Sequence, residues 1–294
     1  QMRADANAKK EEKIKELNDF IARFSANASK SKQATSRKKQ LEKITLDDIK
    51  PSSRKYPFVK FESQRDLGND LLRVENVSKT IDGVKILDNI NFTIRPGEKA
   101  AILSRSDLAQ TTMMQILAGT LKPDTGTVKY GQTVITSSLP RDLDANFNNE
   151  ELSILDWLRQ YATKEQNDNT FLRGFLGKML FSGDDIQKQI KVLSGGEKVR
   201  CMLSKMMLEQ GNTLLLDDPT NHLDLESITS LNDALVSFNG SVIFTSHDHE
   251  FISTIADHLV EISDNGSIDR AETTYDEFLA HEIVRQQVAK LYEK

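Results

Sequence analysis

The sequence predicts an α/β fold in which helices cover a sheet, and two kinds of segment indicate it. The runs TLLLD (213–217) and SVIFT (241–245) are short and apolar, which is typical of parallel strands buried on both faces. LLRVENV, KILDNINFTI and KAAIL, which begin near residue 71, are short apolar or alternating runs and predict three further strands. Helical segments follow these strands, and strand–helix alternation of this kind implies a sheet covered by helices.

Four segments between KAAIL and TLLLD have the apolar spacing of helices: TTMMQILAG, ELSILDWLRQYA, TFLRGFLGKMLF and EKVRCMLSKMMLEQ. The last three begin within about 141–205, a stretch that is nearly all helical and is expected to form a separate lobe. We place the whole α/β domain at 71–272 and expect a C-terminal helical tail at 273–294.

Residues 1–48 have a different character and predict a helical hairpin. Apolar residues from Ile14 to Phe24 recur at alternating spacings of three and four, and a similar rhythm resumes at Ala34. The interruption SANASKSKQATS is rich in Ser and Ala and predicts the bend. Residues 49–70 contain two prolines and predict a connector, because a proline disfavours helix in the residue before it.

The composition is that of a soluble globular protein, with 38% hydrophobic and 28% charged residues. No apolar run approaches the roughly 18 residues of a membrane span, so we expect no membrane association through this chain. The single cysteine, Cys201, excludes an internal disulfide framework and favours a reducing compartment. The expected location is therefore cytoplasmic.

The net charge of −5 is distributed unevenly along the chain. Residues 20–41 contain no acidic residue and carry about +6, which leaves about −11 for the remainder. A basic arm on an acidic body favours a polyanionic partner, although a solvated linker helix is the other interpretation. The candidate RNA-binding residues are Lys30, Lys32, Arg37, Lys38 and Lys39.

The segment LSGGEKVR (193–200) is the first with the character of a binding site. Gly195 and Gly196 expose backbone N–H groups where a helix begins, and Ser194 adds a hydroxyl. Such a helix amino end is suited to holding phosphate, although an N-capped helix after a turn is the alternative interpretation. The candidate nucleotide-binding residues here are Ser194, Gly195, Gly196 and Glu197.

Two apolar strands are followed by candidate catalytic residues. The strand TLLLD delivers Asp217 and Asp218 at its carboxyl end, where ligands bind in open α/β sheets. Asp217 is a candidate ligand of Mg²⁺, directly or through water, and Asp218 a candidate base for an attacking water. The strand SVIFT ends in Ser246 and His247, and His247 is a candidate hydrogen-bonding partner of a γ-phosphate and that water.

Together, LSGGE, LLLDDPTNHLD and SHDHEF resemble the signature, Walker B with D-loop, and switch-histidine motifs of ABC ATPases. TNHLD and SHD resemble in particular the ABC-F family, whose members have two cassettes joined by a helical linker. The segment FSANASKSKQATSRKKQLEKI is similar to that linker. The resemblance implies an ABC-type nucleotide-binding domain with a mixed sheet and a helical subdomain, preceded by part of the linker. It also implies that the chain is the carboxy-terminal half of a longer protein.

In the ABC arrangement, each ATP lies between the phosphate loop of one cassette and the signature of the other. The resemblance therefore implies ATP and Mg²⁺ as cofactors, and as partner the first cassette of the same protein or a second copy. It further implies binding at the ribosomal E site, with the linker directed towards transfer RNA in the P site.

The segment SRSDLAQTT (104–112) departs from the phosphate-loop pattern G-x-x-x-x-G-K-[ST], which is expected after KAAIL and at the opening of TTMMQILAG. Ser104 and Ala109 replace the glycines and Gln110 replaces the lysine, while Thr111 remains as a candidate Mg²⁺ ligand. Asp107 adds a negative charge, and like charges at about 4 Å repel by roughly 1–4 kcal/mol. The candidate nucleotide-binding residues of this loop are Ser104, Arg105, Ser106, Asp107, Ala109, Gln110, Thr111 and Thr112.

Three further departures from the family pattern weaken the same site. Ile81 stands where an aromatic residue usually stacks on adenine, and Arg141 stands where the Q-loop glutamine is usual. Asp218 replaces a catalytic glutamate and is one methylene shorter. We therefore expect the chain's own site to bind ATP weakly and hydrolyse it slowly or not at all, while its signature completes the site of the first cassette.

The leading functional hypothesis is a ribosome-associated ABC-F ATPase that acts in translation. The ATPase subunit of a membrane transporter is one alternative, against which the basic hairpin argues. A non-catalytic, ribosome-binding pseudo-ATPase is the other. The short linker tip favours a general translation factor over an antibiotic-resistance factor, without separating the two.

Overall fold

The computed structural model describes residues 55–149, 151–263, 266–270 and 273–281 of the 294-residue chain. The predicted hairpin of residues 1–48, with its five candidate RNA-binding residues, lies outside these ranges. Of the predicted tail, residues 275–281 are helical and residues 282–294 lie outside the described ranges. Residues 55–70 contain no helix or strand.

The described residues form two sheets. A three-stranded antiparallel sheet has the order β2-β1-β4 and consists of β1 (Leu72–Ile81), β2 (Val84–Ile94) and β4 (Thr125–Tyr130). A six-stranded sheet has the order β5-β6-β7-β3-β8-β9 and consists of β3 (Lys99–Ser104), β5 (Thr136–Leu139), β6 (Thr213–Asp217), β7 (Ser241–Thr245), β8 (His258–Ser263) and β9 (Gly266–Arg270). All pairs in the second sheet are parallel except β8–β9, so the sheet is mixed as expected.

Along the chain, most of the helices connect one strand of the six-stranded sheet to the next. In chain order they are α1 (Asp107–Leu117), α2 (Ile154–Arg159), α3 (Asn169–Lys178), α4 (Gly195–Glu209), α5 (Leu225–Ser237) and α6 (His249–Ile255). The segment before α4 also contains three short 3-10 helices. One precedes α2 and two follow α3: Asp144–Asn146, Gly183–Gln187 and Ile190–Val192. The four helical segments predicted from the sequence correspond to α1, α2, α3 and α4.

The five predicted strands are confirmed as β1, β2, β3, β6 and β7. The prediction omitted β4, β5, β8 and β9, of which β4 (TGTVKY) and β5 (TSSL) are largely polar. Both lie at a sheet edge, where a strand is defined by backbone pairing with one neighbour rather than by burial of its side chains.

Two hydrophobic clusters cover the two faces of the six-stranded sheet. Successive residues of a strand point to opposite faces, so Ala100 and Ile102 join the cluster with α1 and the antiparallel sheet. Ala101 and Leu103 join the other cluster, which includes residues of α2, α3, α4 and α5. Burial on both faces accounts for the apolar character of β6 and β7, in which every residue is buried.

Candidate nucleotide site

Three adjacent parallel strands end together at one edge of the six-stranded sheet. The strands β6, β7 and β3 are neighbours in that order, and they end at Asp217, Thr245 and Ser104. The segments that follow them therefore meet at the same edge, which is where ligands bind in open α/β sheets. The structure thus brings together the predicted residues of the phosphate loop, the residues after β6, and His247.

The segment between β3 and α1 is shorter than the sequence analysis expected. Helix α1 begins at Asp107 rather than at the TTMMQILAG segment, so that most of the predicted loop is helical. Ser106 caps this helix, because its hydroxyl accepts a hydrogen bond from the backbone N–H of Ala109 at 3.3 Å. The N–H of Ser106 in turn donates a hydrogen bond to the Ser104 hydroxyl at 3.2 Å. Two of the donors at the helix amino end are therefore already satisfied within the chain.

Gln110 is directed into the protein rather than towards the site. Its side chain is 4% exposed, and Nε2 donates a hydrogen bond to the backbone carbonyl of Ile102 at 3.2 Å. The sequence analysis placed this residue among those that contact phosphate. The structure instead uses its amide to link α1 to β3, because a buried amide requires a hydrogen-bond partner.

Asp217 and Thr111 lie together beneath the edge of the sheet. Oδ1 of Asp217 accepts a hydrogen bond from the Thr245 hydroxyl at 2.7 Å. Burial raises the pKa of the Asp217 carboxyl above its ordinary value, against the opposing effect of that hydrogen bond. The buried hydroxyl of Thr111 has no hydrogen-bond partner of ordinary geometry among the described residues, although it lies near enough to Asp217 to favour the ionised carboxylate.

Asp218 is held in an unusual backbone conformation at the end of β6. Its φ is +52°, a left-handed value that Asp tolerates better than most residues. Its N–H donates to the Thr245 hydroxyl at 2.9 Å, which fixes the peptide against β7. Its side chain is only 9% exposed.

Four polar side chains form what we call the charged cluster: Asp107, Arg141, Asp218 and His247. The Arg141 guanidinium lies 3.2 Å from Oδ2 of Asp107 and 3.4 Å from Oδ2 of Asp218. Nε2 of His247 lies 3.4 Å from Oδ1 of Asp107 and 3.5 Å from the guanidinium. The cluster joins the phosphate-loop segment, the strand β6, the loop after β7 and the segment after β5 through side chains of this chain alone.

The signature segment has a complete helix cap. The Ser194 hydroxyl accepts from the N–H of Glu197 at 3.3 Å, and Oε2 of Glu197 accepts from the N–H of Ser194 at 2.9 Å. Partial burial opposes ionisation of Glu197, but the hydrogen bonds from Ser194 and the ammonium of Lys188 outweigh it and lower the pKa. The carboxylate of Glu197, a predicted nucleotide-binding group, is therefore used in this cap.

The glycines of the signature pack against His222, a residue that the sequence analysis did not single out. A Cβ atom on Gly196 would lie 2.7 Å from the His222 carbonyl oxygen, and one on Gly195 would lie 3.0 Å from its ring. His222 itself has a φ of +66°. Its role was not apparent from the sequence, because the contact depends on the fold of the loop after β6.

A cavity of about 720 Å³ lies beside the segment Ser104–Ser106. Its wall includes His247 and also residues that the sequence analysis did not single out: Val84, Lys85, Ile86, His249, Tyr275 and Phe278. The Tyr275 hydroxyl and Nδ1 of His249 are 2.7 Å apart, and the rings of Tyr275 and Phe278 are nearly parallel at 6.2 Å. No spacing pattern in the sequence pointed to these residues, since they come from three distant parts of the chain.

Within the part of the chain that the structure describes, no helix is both long and apolar enough to cross a membrane.

Comparison with known proteins finds similarity to ABC transporter and ATP-binding proteins. A family model described as ABC transporter matches residues 87–221, and a second with the same description matches residues 1–61. The uncharacterized ABC transporter ATP-binding protein YkpA of Bacillus subtilis is 57% identical over 98% of this chain and 53% of its own length. The probable ATP-binding protein YbiT of Escherichia coli O157:H7 is 44% identical over 90% of this chain and 49% of its own length.

A plant protein and a solved structure extend the comparison. The ABC transporter F family member 2 of Arabidopsis thaliana is 30% identical over 90% of this chain and 39% of its own length. The chain spans about half the length of the relatives from Bacillus subtilis and Escherichia coli. The structure of cbiO1 from Clostridium perfringens, part of the ABC transporter complex cbiONQ, has a TM-score of 0.54 at 21% identity and covers 75% of this chain and 95% of its own. This likeness establishes the fold.

Proposed function

Because residues 87–221 are an ATP-binding domain of the ABC transporter family, we propose that the chain is one half of an ABC-F type ATPase that acts on the ribosome. ATP hydrolysis to ADP and phosphate is the activity of this family. The similarity to an F family member, and relatives about twice the length of this chain, support two cassettes in the complete protein. In this proposal the chain supplies the second cassette and part of the linker.

One observation carries the proposal for the site. The signature segment has the residues expected of a nucleotide-binding segment, whereas the phosphate-loop segment of the same domain does not. The signature helix α4 begins at two glycines with a complete cap at Ser194. In the phosphate-loop segment, Gln110 is buried and Asp107 belongs to the charged cluster around Arg141. We infer that the chain contributes Ser194, Gly195 and Gly196 to the site of a first cassette, and that its own site is degenerate.

The side chains at 104–112 do not fit a triphosphate. The position of the lysine holds a neutral amide that is engaged with Ile102, so it offers no positive charge to the phosphates. The first turn of α1 carries the Asp107 carboxylate, which already interacts favourably with the positive end of the helix. A phosphate group would have to displace that interaction and approach a like charge.

The residues for a metal ion fit better than those for phosphate. The unpartnered hydroxyl of Thr111 and the carboxylate of Asp217 are oxygen donors of the kind that Mg²⁺ prefers. When bound, Mg²⁺ supplies charge neutralisation for phosphate oxygens. Among the described residues no group of three or more His, Cys, Asp or Glu side chains is arranged to hold a metal, so other oxygen ligands would have to complete the shell.

The proposed ribosomal partner rests on the linker-like segment. Lys30, Lys32, Arg37, Lys38 and Lys39 would contact RNA backbone, including that of the transfer RNA, through an electrostatic interaction that weakens with salt. Contacts of this kind position a protein without reading sequence. The proposed location is therefore the cytoplasm.

The site proposal is tested by calorimetric titration of this chain with Mg-ATP. We expect no binding in the micromolar range by the natural chain. A variant with Ser104→Gly, Asp107→Asn, Ala109→Gly and Gln110→Lys is expected to gain affinity by at least tenfold, about 1.4 kcal/mol. The matched control is Gln115→Lys, which adds the same charge to the exposed face of α1. Micromolar binding by the natural chain would contradict the degenerate site.

The division of labour is tested in a two-cassette protein in which this chain follows the first half of the Bacillus subtilis relative. Ser194→Arg is expected to abolish ATP hydrolysis, because the larger side chain blocks the donated signature. Asp218→Asn is expected to leave the rate within about twofold, since it lies in the degenerate site. The reverse pattern would show that this chain's own site is the active one. Absence of nucleotide binding by the unsubstituted two-cassette protein, with ribosome binding kept, would favour the pseudo-ATPase.

Ribosome binding is tested by co-sedimentation at increasing salt. Replacing the five basic residues by Gln is expected to weaken binding and to reduce its salt dependence. Five Lys→Gln changes elsewhere on the domain, at Lys60, Lys85, Lys129, Lys164 and Lys191, are the matched control for total charge. Association with membranes instead of ribosomes would support the transporter alternative.

A further inference from the structure

Arg141 lies at the junction between the six-stranded sheet and the helical segment. Strand β5 ends at Leu139, and Pro140 and Arg141 open the chain segment that leads to α2. The guanidinium contacts carboxylates from two other elements of the sheet region, Asp107 at 3.2 Å and Asp218 at 3.4 Å. A single side chain thus ties this junction to the start of α1 and to the end of β6.

Burial makes the contact of Arg141 with Asp218 stronger than an ordinary surface ion pair, whereas the Asp107 side chain is 55% exposed. The Arg141 side chain is 27% exposed and the Asp218 side chain 9% exposed, so water screens their interaction only partly. A single guanidinium nitrogen, Nη2, makes both contacts. Removing a partner from such a pair leaves an uncompensated charge, which costs more than the loss of an exposed pair.

Three residues further on, the same segment contacts the signature helix. Oδ1 of Asp144 lies 2.8 Å from Nζ of Lys198, which is the fourth residue of α4. The same ammonium lies 5.7 Å from the centre of the Phe147 ring. That ring stacks on Trp157 at 4.7 Å, and both residues are buried. The segment that begins at Arg141 therefore contacts the first turn of α4 through Asp144.

The connection between these two ends is short and folded. Three residues span at most about 10 Å, even when fully extended. Here Asp144 begins a 3-10 turn, and its N–H donates to Oδ1 of Asp142 at 3.0 Å. If Arg141 moved, Asp144 and the Lys198 side chain that it contacts would therefore be expected to move with it.

We propose that Arg141 is a positioning residue that holds the signature segment, Ser194–Glu197, in a fixed place relative to the six-stranded sheet without any nucleotide. Its contacts with Asp107 and Asp218 anchor one end of a short bridge, and the Asp144–Lys198 pair anchors the other. The arrangement depends only on side chains of this chain. It rests on the proposed function in one respect, that Ser194–Glu197 is the surface offered to another cassette.

The proposal is tested by measuring a distance between spin labels on this chain alone, by pulsed electron paramagnetic resonance. One label replaces Val192, which is 61% exposed beside the signature, and the other replaces Val236 on α5, which is 48% exposed. Cys201 is changed to Ala so that only the two introduced cysteines react. We expect a single narrow distance distribution without nucleotide, and the same distribution after addition of Mg-ATP.

Arg141→Gln is expected to broaden or shift the distribution, and Arg141→Lys is expected to broaden or shift it less. Arg73→Gln is the matched control, since it removes an exposed ion pair in the antiparallel sheet. Asp144→Asn breaks the far end of the bridge on a side chain that is largely exposed, and it is expected to broaden the distribution with little change in Tm. It keeps the test decisive if Arg141→Gln fails to fold.

A distribution unchanged by both Arg141→Gln and Asp144→Asn overturns the proposal, as does a broad distribution in the natural chain without nucleotide. Both results leave the proposed function standing, because they are measured without a second cassette. Failure of the proposed function would appear instead as micromolar ATP binding by the natural chain or as ATP hydrolysis that does not require Ser194.

Discussion

The side-chain amide of Gln110 donates a hydrogen bond to the backbone carbonyl of Ile102 across the interface between α1 and β3. This contact gives the residue at the lysine position a structural role in place of a phosphate-binding one. The consequence is that the position has become part of the core, where a charged side chain is costly.

Gln110→Lys alone is therefore expected to destabilise the chain. The ammonium must either be buried beside Ile102 or swing outwards and leave the interior contact unmade. We expect a loss of about 1–3 kcal/mol in the free energy of unfolding. The measurement is urea denaturation, with Gln115→Lys on the exposed face of the same helix as the control. Equal stability of the two variants would contradict the structural role of Gln110.

Asp217→Asn is expected to stabilise the chain at neutral pH. Burial raises the pKa of Asp217 from its ordinary value of 3.8, so folding favours the protonated group. The stability from this group is fully present below the ordinary pKa and is lost as the pH rises through the raised value. Above the raised pKa the ionised carboxylate carries the cost of burial, so replacing it by a neutral amide should raise Tm at pH 7 by about 2–4 °C, on the order of 1 kcal/mol.

The difference between Asp217→Asn and the natural chain should shrink as the pH falls towards 4, because the natural carboxyl then becomes neutral too. Thermal melts at pH 7 and pH 4 give the comparison, and Asp233→Asn on the exposed side of α5 is the control. A lower Tm for Asp217→Asn at pH 7 would mean that the ionised group is stabilised by its surroundings.

Gly196→Ala is expected to destabilise the signature region through a steric effect. The added Cβ would lie 2.7 Å from the carbonyl oxygen of His222, which is backbone and cannot rotate away. We expect a loss of about 1–3 kcal/mol, as for other overpacked sites. The measurement is urea denaturation of each variant.

Gly177→Ala is the matched control, since it is also helical and a Cβ there meets nothing within 4 Å. It is expected to gain about 0.5–1 kcal/mol, because alanine favours the helix. Similar effects of the two substitutions would show that the contact with His222 does not constrain Gly196.

His258→Leu is expected to weaken the far end of the six-stranded sheet. The buried imidazole lies 2.9 Å from Oε2 of Glu98 and 2.7 Å from Oδ1 of Asp269. Oδ2 of Asp269 also accepts from the N–H of Thr93, so this carboxylate links the two sheets. Leucine removes the imidazole that these two partly buried carboxylates share, at a cost of about 3–5 kcal/mol. The loss of stability is measured by urea denaturation of His258→Leu, with His281→Leu at an exposed site as the control. Equal denaturation midpoints of the two variants would show that the His258 contacts do not stabilise the fold.

The sequence by itself determined the strands that are buried on both faces and the residues that follow them. TLLLD and SVIFT are apolar throughout because both sides of β6 and β7 face a hydrophobic cluster. Since the carboxyl ends of neighbouring parallel strands share one edge, Asp217, Asp218 and His247 were expected near the phosphate-loop segment, and the structure places them there. The glycines and Ser194 at the start of α4 were also recognisable from local capping chemistry.

Only the tertiary structure decided what several of these residues contact. The strands β4 and β5 form by backbone pairing at sheet edges, which leaves little trace in side-chain polarity. Gln110 turns inwards, Arg141 joins Asp107 to Asp218, and His222 packs on the signature glycines. Each of these contacts joins segments distant in sequence or depends on a local turn that no periodicity encodes. A pattern of residue types specifies which face of an element is buried, whereas the partner of a polar side chain is set by the distances and angles that the completed fold provides.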